Sequence, residues 1–278
     1  MLAALLKSIE LNHLTGEQIN VWIVEDSVSD KNKYRLESSI ESNLFTFHWI
    51  AAKLAVPPHV QLPLDHNSYP TNIFMRLFIP YFIPPHINKV LYMDVDMIME
   101  RDISELWKHD ISNYILGAVT DPICVYLKNS IANYKELHLP PNAKYYNSGL
   151  LLINKTKWLE NNLTIKVIES ISKNRKYAHF SDQYGLNVNT VDQWLELDPL
   201  WNYYTNGTHP HPYVIHFFHR KPFYKSYFNN PYYQKIFYAY LDQTRWKGSP
   251  KVGEIKRYYI KSKNVLGKAP LLLKQIFH

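Results

Sequence analysis

Apolar and polar residues alternate along this chain with two periods, one typical of helices and one typical of buried strands. Helical spacing or helix-forming composition predicts helices at residues 1–11, 31–43, 69–83 (interrupted around Pro80) and 102–107. Short apolar runs predict strands at residues 19–24, 45–50, 89–93, 113–121, 144–159 (with a turn at Asn-Ser-Gly) and 212–219. Strands that alternate with helices in this way predict an α/β fold with a largely parallel sheet.

Acidic residues follow two of these predicted strands. Asp94 and Asp96 come directly after the apolar run 89–93, and Asp121 ends a later run. Side chains of a strand alternate between its faces, so residues 94 and 96 are expected on one side, close enough to repel each other. A hard divalent cation such as Mg²⁺ or Mn²⁺ would remove that repulsion and could clamp a diphosphate. An isolated Asp-x-Asp pair is about as often structural or solvated.

Composition narrows the class of protein. The 278 residues, of which 46% are hydrophobic and 20% charged, predict a soluble, globular chain with one large or two small domains. The single cysteine, Cys124, excludes an internal disulfide framework and suits a reducing compartment. No apolar run reaches the roughly 18 residues that span a bilayer, and no basic segment precedes the first apolar stretch, so we expect no signal peptide.

The net charge of +7 is concentrated at one end of the chain. Residues 245–278 hold nine Lys and Arg and one acid, whereas the preceding residues hold 22 basic and 23 acidic side chains, a net charge of −1. An enzyme acting on nucleic acid would be expected to carry its positive charge along the active groove. We therefore expect no nucleic-acid partner.

Five sequence blocks, in order, resemble those of the family 8 glycosyltransferases, which are retaining nucleotide-sugar transferases that include bacterial lipopolysaccharide hexosyltransferases. The blocks are "RLFIPYFIP", "KVLYMDVDMIMERDISELW", "YYNSGLLLINKTKW", "FSDQYGLN" and "VIHFFHRKPF". The resemblance covers the chain up to about residue 247. It implies a catalytic domain at residues 1–247 with a GT-A fold, a Rossmann-like, mostly parallel sheet flanked by helices. Residues 248–278 would form a separate tail.

The same resemblance implies a UDP-sugar donor and a saccharide or lipid-linked saccharide acceptor. Asp94, Asp96 and His216 match the three metal ligands of the family, although about two in three such histidines would otherwise be ordinary strand residues. Imidazole suits Mn²⁺ better than Mg²⁺, so manganese is the expected ion and magnesium the alternative.

Further site residues are also implied by the resemblance. The residues matched to donor binding are Arg76, Val95, Asn147, Ser148, Asp182 and Lys221. Gln183 matches the residue nearest the anomeric carbon, and Asp121 matches an acid at the reaction centre. Because an amide is a poor nucleophile, we expect a same-face displacement rather than a glycosyl-enzyme. Without the resemblance, an exposed arginine or lysine, a turn asparagine and a helix-capping aspartate would be the ordinary interpretations.

The chain departs from the family pattern in two regions. The family block H-x-x-G-x-x-K-P-W lacks one spacer residue here, with His219 in place of glycine and Phe223 in place of tryptophan. Histidine does not allow the close backbone approach that glycine allows, so phosphate contacts in this loop are expected to differ. The family's first strand, which holds the uridine, has no counterpart in the printed sequence. We expect that strand upstream of residue 1.

The tail has the composition of a membrane-binding segment. Val252, Ile255, Tyr259 and Leu266 share a helical face, with Lys256, Arg257, Lys261 and Lys263 largely off it. Segments of this kind lie well on anionic lipid, which predicts a cytoplasmic protein attached peripherally to the inner face of the membrane. The alternative is a solvated tail.

Two other functional classes remain open from the sequence. The stretch "LYMDVDMI" also resembles haloacid-dehalogenase phosphatases, but the later acid pair that those enzymes need is not found downstream. A catalytically silent scaffold of a glycan-assembly complex is the second alternative. The missing first strand favours that alternative, whereas the complete set of metal ligands and Lys221 disfavour it.

Overall fold

The computed structural model describes residues 1–58, 60–63, 71–179, 181–259 and 261–263. The α-helices of the fold are α1 (Leu2–Asn12), α2 (Asp30–Glu37), α3 (Ala52–Ala55), α4 (Ile79–Phe82), α5 (Ile103–Trp107), α6 (Leu127–Ser130), α7 (Lys155–Glu160), α8 (Leu163–Lys173), α9 (Ser181–Asn189) and α10 (Pro231–Leu241). The strands are β1 (Ile19–Glu25), β2 (Phe45–Ala51), β3 (Lys89–Met93), β4 (Met97–Met99), β5 (Leu116–Thr120), β6 (Tyr146–Asn154), β7 (Trp194–Glu196), β8 (Tyr203–Tyr204) and β9 (Val214–His216). In the described residues, no helix is long and apolar enough to cross a membrane.

Most of the predicted elements are confirmed, with differences at their ends. The strand predicted at residues 144–159 ends at Asn154, and Lys155–Glu160 form α7 instead. The helix predicted at residues 31–43 ends at Glu37. Residues 71–78 form a 3₁₀ helix, and Pro80 lies in the first turn of α4, where its missing N–H leaves no hydrogen bond unmade. The predicted interruption is therefore a change of helix type. Residues 69 and 70 of that prediction lie outside the described part of the chain.

The strands are distributed over three sheets, with the orders β1–β2, β3–β6–β5–β7 and β4–β9–β8. The pairs β1–β2, β5–β7 and β8–β9 are parallel, whereas β4–β9 and β5–β6 are antiparallel. Helices flank these sheets, so the mixed α/β class predicted from the alternation of elements is confirmed.

The chain divides into two compact units, each assembled from separate stretches of sequence. The first unit comprises Met1–Leu54, Met93–His109 and Pro199–Tyr259; the second comprises Ala55–Tyr92, Asp110–Asp198 and the described residues beyond 260. Each unit contains some of the residues that the sequence predicts to be functional.

Helix α1 organises the core of the first unit. Ala4 packs with Ile215 and Phe217, whereas Leu6, on another face of the helix, packs with Leu36. Because the helix is enclosed, even its polar Ser8 is fully buried, and the Ser8 hydroxyl accepts a hydrogen bond from Met99 N at 2.9 Å. Helix α1 is thereby tied to β4, the strand that directly follows Asp96.

Asp102 ends that segment as the N-cap of α5, as its position near the start of the predicted helix suggested. Its carboxylate accepts hydrogen bonds from Ser104 N at 2.8 Å and Leu14 N at 2.7 Å. Burial alone would raise the pKa of this carboxyl, but these N–H donors outweigh it and hold the pKa well below its usual range. The ionised cap therefore links α5 to the end of α1.

In the second unit, α9 packs closely on α8. A Cβ atom at Gly185 would lie 2.8 Å from Val167 Cγ1 and 3.0 Å from Val167 O, so the absence of a side chain permits this approach. Asn187 of α9 accepts from Tyr146 N and donates to Tyr146 O, both at 2.9 Å. These contacts fix α9 against the start of β6.

Candidate active site

The acid pair of the first unit lies in a turn. Strand β3 ends at Met93, β4 begins at Met97, and Asp94, Val95 and Asp96 connect them. The expectation that both acids lie on one face of a strand was therefore wrong, because neither acid is part of a strand. The turn nevertheless directs both carboxylates to one point, while the Val95 side chain between them is 54% exposed.

Strand pairing brings His216 to these acids. In the antiparallel register of β4 and β9, Met97 pairs with His216, and Phe217 N donates to Asp96 O at 3.0 Å. Asn202 Oδ1 accepts a hydrogen bond from His216 Nδ1 at 2.8 Å. The other ring nitrogen, Nε2, faces Asp96 Oδ1, 3.4 Å away. A hydrogen bond to the other ring nitrogen is the usual way in which proteins orient a metal-binding imidazole.

Asp94, Asp96 and His216 together fit a divalent cation. Each offers one ligand atom, and these atoms lie within 4.8 Å of one another. Asp96 Oδ1 is buried and makes no hydrogen bond among the described residues, a costly arrangement for a carboxylate oxygen unless a cation compensates it. Two carboxylates and one imidazole suit Mn²⁺ or Mg²⁺.

Lys221 already contacts this cluster. Its ammonium forms an ion pair with Asp96 Oδ2 and donates to Phe217 O at 2.7 Å. Burial by itself raises the pKa of the Asp96 carboxyl, but the nearby charges of His216 and Lys221 outweigh burial and hold that pKa far below its usual range. Asp96 is therefore ionised at neutral pH and available as a ligand.

The residue in place of the family glycine adopts a backbone conformation that favours glycine. His219 has a φ of 61°, in the left-handed region. Its ring lies 4.0 Å from that of Phe218, centroid to centroid. The loop thus keeps a backbone conformation that glycine would adopt without strain. His219 adopts it with strain, two residues before Lys221.

In the second unit, Gln183 is held by hydrogen bonds at both ends of its amide. Gln183 Oε1 accepts from Asn147 Nδ2 at 3.0 Å and from Ser148 N at 3.2 Å, and Gln183 Nε2 donates to Asp121 Oδ2 at 3.3 Å. The other oxygen of Asp121 accepts from the backbone at Ile123, at 2.9 Å. Every polar atom of this amide has a partner, so its orientation is set in advance.

Arg76, interpreted from sequence alone as an ordinarily exposed side chain, is buried beside Asp182. Arg76 Nε lies 3.0 Å from Asp182 Oδ2, and Arg76 Nη1 donates to Ser148 Oγ at 3.1 Å. The same carboxylate oxygen accepts from Ser148 Oγ at 3.3 Å. The structure thus brings together the six predicted residues of this unit, namely Arg76, Asp121, Asn147, Ser148, Asp182 and Gln183.

Two local features of the sequence produce this arrangement. The Asn-Ser-Gly stretch, predicted as a turn, lies inside β6, where the register against β5 shifts between Ala118 and Val119. Such a shift re-aims side chains, and here it turns Asn147 and Ser148 towards Gln183. The first turn of α9 supplies Asp182 and Gln183.

Sequence reasoning missed two residues that support the site. Asn202, which orients His216, is 14 positions away in the chain and belongs to no block of the resemblance. A search for a buried amide near the metal-binding histidine could have suggested it. Tyr145, fully buried next to the Asn-Ser-Gly stretch, interacts through its hydroxyl with Ser130 and Gln183. No local sequence signal distinguishes it from a core tyrosine.

Comparison with known proteins assigns this chain to a family. Residues 1–225 match the model of the family described as "Glycosyl transferase family 8". General stress protein A of Bacillus subtilis (strain 168) is 27% identical over 285 residues, covering 91% of this chain and 93% of the relative. A putative glycosyltransferase of Haemophilus influenzae is 31% identical over 180 residues, covering 62% of this chain and 51% of the relative.

Solved structures show a similar fold at low sequence identity. The galactosyltransferase LgtC, in complex with donor and acceptor sugar analogues, has a TM-score of 0.72 at 19% identity and covers 89% of this chain and 94% of that one. The bifunctional glycosyltransferase WbbM has a TM-score of 0.73 at 19% identity, and this chain spans 48% of its length. The architecture is therefore the GT-A fold of glycosyltransferases. The chain belongs to glycosyl transferase family 8. Membership of this family supports glycosyl transfer as the reaction class and argues against the phosphatase alternative.

Proposed function

We propose that this protein transfers a hexose from a UDP-sugar to a saccharide acceptor with retention of anomeric configuration, in the synthesis of lipopolysaccharide or another cell-surface glycan. The observation that carries the proposal is the cluster Asp94, Asp96 and His216, in which the buried Asp96 Oδ1 makes no hydrogen bond with the described residues. A nucleotide-sugar transferase needs a cation at such a point, because charge develops on the leaving diphosphate. LgtC, a galactosyltransferase solved in complex with donor and acceptor sugar analogues, supports the same reaction.

Asp94, Asp96 and His216 would hold the metal ion, for which we propose Mn²⁺ with Mg²⁺ as the alternative. When bound, the ion neutralises charge on the diphosphate of the donor. Lys221 supplies a second positive charge on a flexible stem, suited to a phosphate oxygen. Val95 is exposed in the turn between Asp94 and Asp96, which supports its proposed contact with the donor.

The second unit would bind and orient the donor sugar. Asp182 and Asn147 offer oxygens and an amide to sugar hydroxyls, and Arg76 and Ser148 hold Asp182 in place. Gln183 presents a neutral amide fixed by Asn147 and Asp121. A neutral, fully hydrogen-bonded amide suits electrostatic positioning next to a developing oxocarbenium-like centre better than nucleophilic attack.

A donor screen tests this function. Purified protein with Mn²⁺ should release UDP from one UDP-hexose faster than from the others, and nuclear magnetic resonance of the glycoside formed should show the anomeric configuration of the donor. An inverted product would contradict the proposed stereochemistry. Release from no UDP-sugar, combined with no binding of UDP and Mn²⁺ by calorimetry, would favour the silent-scaffold alternative.

Replacing Gln183 with alanine should slow turnover by about ten- to a hundredfold without abolishing it, because the amide contributes hydrogen bonds worth about 1.5–3 kcal/mol near charge. Intact-mass spectrometry of the wild-type protein trapped during turnover should show no glycosyl adduct at residue 183. Gln193→Ala, at an exposed glutamine, is the matched control and should keep wild-type turnover. A stable adduct on Gln183 would contradict the positional role.

We also propose that the end of the chain attaches the protein to anionic lipid at the inner face of the membrane, close to a lipid-linked acceptor. Residues 254–259 are helical, and the side chains of Ile255 and Tyr259 are 90% and 69% exposed. Arg257 departs from the predicted basic face, because it is buried and forms an ion pair with Glu254. Leu266 and the apolar stretch 270–277 lie outside the described residues.

Deleting residues 260–278 should reduce sedimentation with anionic vesicles by tenfold or more, because each Lys or Arg near such a surface contributes about 1 kcal/mol. The deletion should begin after Tyr259, since Val252 N donates to Phe223 O at 2.8 Å and Lys225 N donates to Val252 O at 2.9 Å. High salt should release the full chain, and neutral vesicles are the control. Equal sedimentation of both chains on anionic vesicles would show that the tail is merely solvated.

A further inference from the structure

A half-open cavity in the second unit lies beside Gln183 and is not used by the donor site described above. Its volume is about 150 Å³, several times the roughly 30 Å³ that one water molecule occupies in the liquid. The cavity is lined by Asn129 together with Cys124, Ser130, Tyr145, Tyr177, His179 and Tyr184. None of these lining side chains is an Asp, Glu, Lys or Arg.

The wall of this cavity is held rigidly. Tyr184 OH donates to Asn133 Oδ1 at 3.0 Å, and Asn133 Nδ2 donates to Asn174 Oδ1 at 2.9 Å. Tyr145 is fixed through its backbone, where its N–H donates to Val125 O at 2.9 Å and its carbonyl accepts from Asp121 N at 2.9 Å. A wall built from such contacts is preorganised for a ligand.

One residue connects the cavity to the reaction centre. The Tyr145 hydroxyl interacts with Ser130 inside the cavity and with Gln183, whose amide in turn donates to Asp121 Oδ2 at 3.3 Å. Burial raises the pKa of Tyr145 above its usual range, so the phenol stays protonated and remains a donor at neutral pH. A molecule in the cavity that contacts Tyr145 would therefore be linked to Asp121 through the side chains of Tyr145 and Gln183.

The chemistry of the lining selects the class of ligand. The described residues of the lining include no Lys or Arg, the side chains that neutralise a phosphate most effectively, so a nucleotide or sugar phosphate is disfavoured. Aromatic rings from Tyr177 and Tyr184 combined with hydroxyls from Ser130 and Tyr145 suit a neutral ring with apolar faces and a hydroxyl rim, which describes a monosaccharide. The side chains proposed for the donor sugar, Asn147, Ser148 and Asp182, do not line it.

We propose that this cavity is a subsite for one monosaccharide unit of the acceptor, held between the tyrosine rings and hydrogen-bonded to Ser130 and Tyr145. The proposal rests on the proposed glycosyl transfer for its biological meaning, although saccharide binding itself does not require catalysis. It assigns to Tyr145 the role of a positioning residue, which contacts both the acceptor unit and Gln183.

Cys124 provides a direct probe, because it lines the cavity and is the single cysteine of the chain. Burial and the charge of Asp121 raise the pKa of its thiol, so alkylation by iodoacetamide should be slow and easily timed by intact-mass spectrometry. Methyl glycosides of glucose, galactose, N-acetylglucosamine, mannose and rhamnose, and lactose, would be added one at a time. Glycerol at equal mass is the control for crowding.

We expect at least one of these sugars to slow alkylation about tenfold when present at about ten times its Kd. Tyr177→Ala should remove this protection, whereas Tyr258→Ala, at an exposed tyrosine of the other unit, should not. Glycerol slowing the reaction as much as the sugars, or no sugar slowing it at all, would overturn the proposal. If UDP and Mn²⁺ do not bind but a sugar protects Cys124, the donor function fails and the saccharide subsite stands.

A second experiment distinguishes failure of the saccharide subsite from failure of the donor function. Protein fully alkylated at Cys124 should bind UDP with Mn²⁺ as the untreated protein does, because Cys124 and the metal ligands belong to different units. The same protein should lose transfer to saccharide while keeping hydrolysis of the donor by water. Unchanged transfer after complete alkylation would overturn the subsite and leave the donor function intact.

Discussion

Replacing Asp96 with asparagine should remove most of the metal-dependent affinity of this protein for UDP. The substitution keeps the size of the side chain and removes the negative charge that the cation would meet. Asp96 also forms the ion pair with Lys221, and Phe217 N binds its backbone oxygen at 3.0 Å, so the residue is the centre of the cluster. Removing one partner from a close, desolvated set of charges typically costs about 2–5 kcal/mol, which corresponds to about thirtyfold or more in Kd.

Calorimetry of UDP binding with and without Mn²⁺ measures this effect. The wild-type protein should bind UDP much more tightly with the metal, and Asp96→Asn should show almost no difference between the two titrations. Asp110→Asn is a matched control, because Asp110 is exposed, belongs to neither set of predicted site residues, and accepts a hydrogen bond from Ser112 N at 2.8 Å. Undiminished metal-dependent binding in Asp96→Asn would rule this cluster out as the metal site.

The sequence allowed the metal cluster to be predicted only through the resemblance. Two acids separated by one residue are visible locally, but the third ligand lies 120 positions away and reaches them through the pairing of β4 with β9. No local pattern encodes that register. The supporting Asn202 was missed for the same reason, since its contact with His216 exists only after folding brings their two segments together.

Predictions from local sequence patterns were wrong where tertiary contacts determine the local conformation. Asn147 and Ser148 have the composition of a turn, yet the pairing with β5 and the contact with Gln183 keep them in an irregular strand. Arg257 follows the spacing of an exposed basic face, but it is buried and forms an ion pair with the partly exposed Glu254 on the preceding turn. The role of each site residue stays a prediction, because it is not decided by the packing of the described residues.

Lys221 occupies a position in which it would compete with the proposed cation for Asp96. Its ammonium pairs with Asp96 Oδ2 and is further held by Phe217 O at 2.7 Å. A cation held by both carboxylates would weaken that ion pair, and the ammonium would then be available to a diphosphate oxygen of the proposed donor. In the structure, the lysine compensates the charge of Asp96, which would be costly to bury alone.

Replacing Lys221 with methionine should therefore change two affinities in opposite directions. Affinity for Mn²⁺ alone should rise by about fivefold, because the competing charge, worth about 1 kcal/mol at a partly exposed site, is gone. Affinity for UDP in the presence of Mn²⁺ should fall by about ten- to a hundredfold, because a hydrogen bond to a charged group contributes about 1.5–3 kcal/mol. Titration of Mn²⁺ without nucleotide, followed by UDP at saturating Mn²⁺, separates the two effects. Lys225→Met, four residues further along and exposed, is the control and should change neither. A parallel fall of both affinities would show instead that Lys221 only supports the fold of the loop.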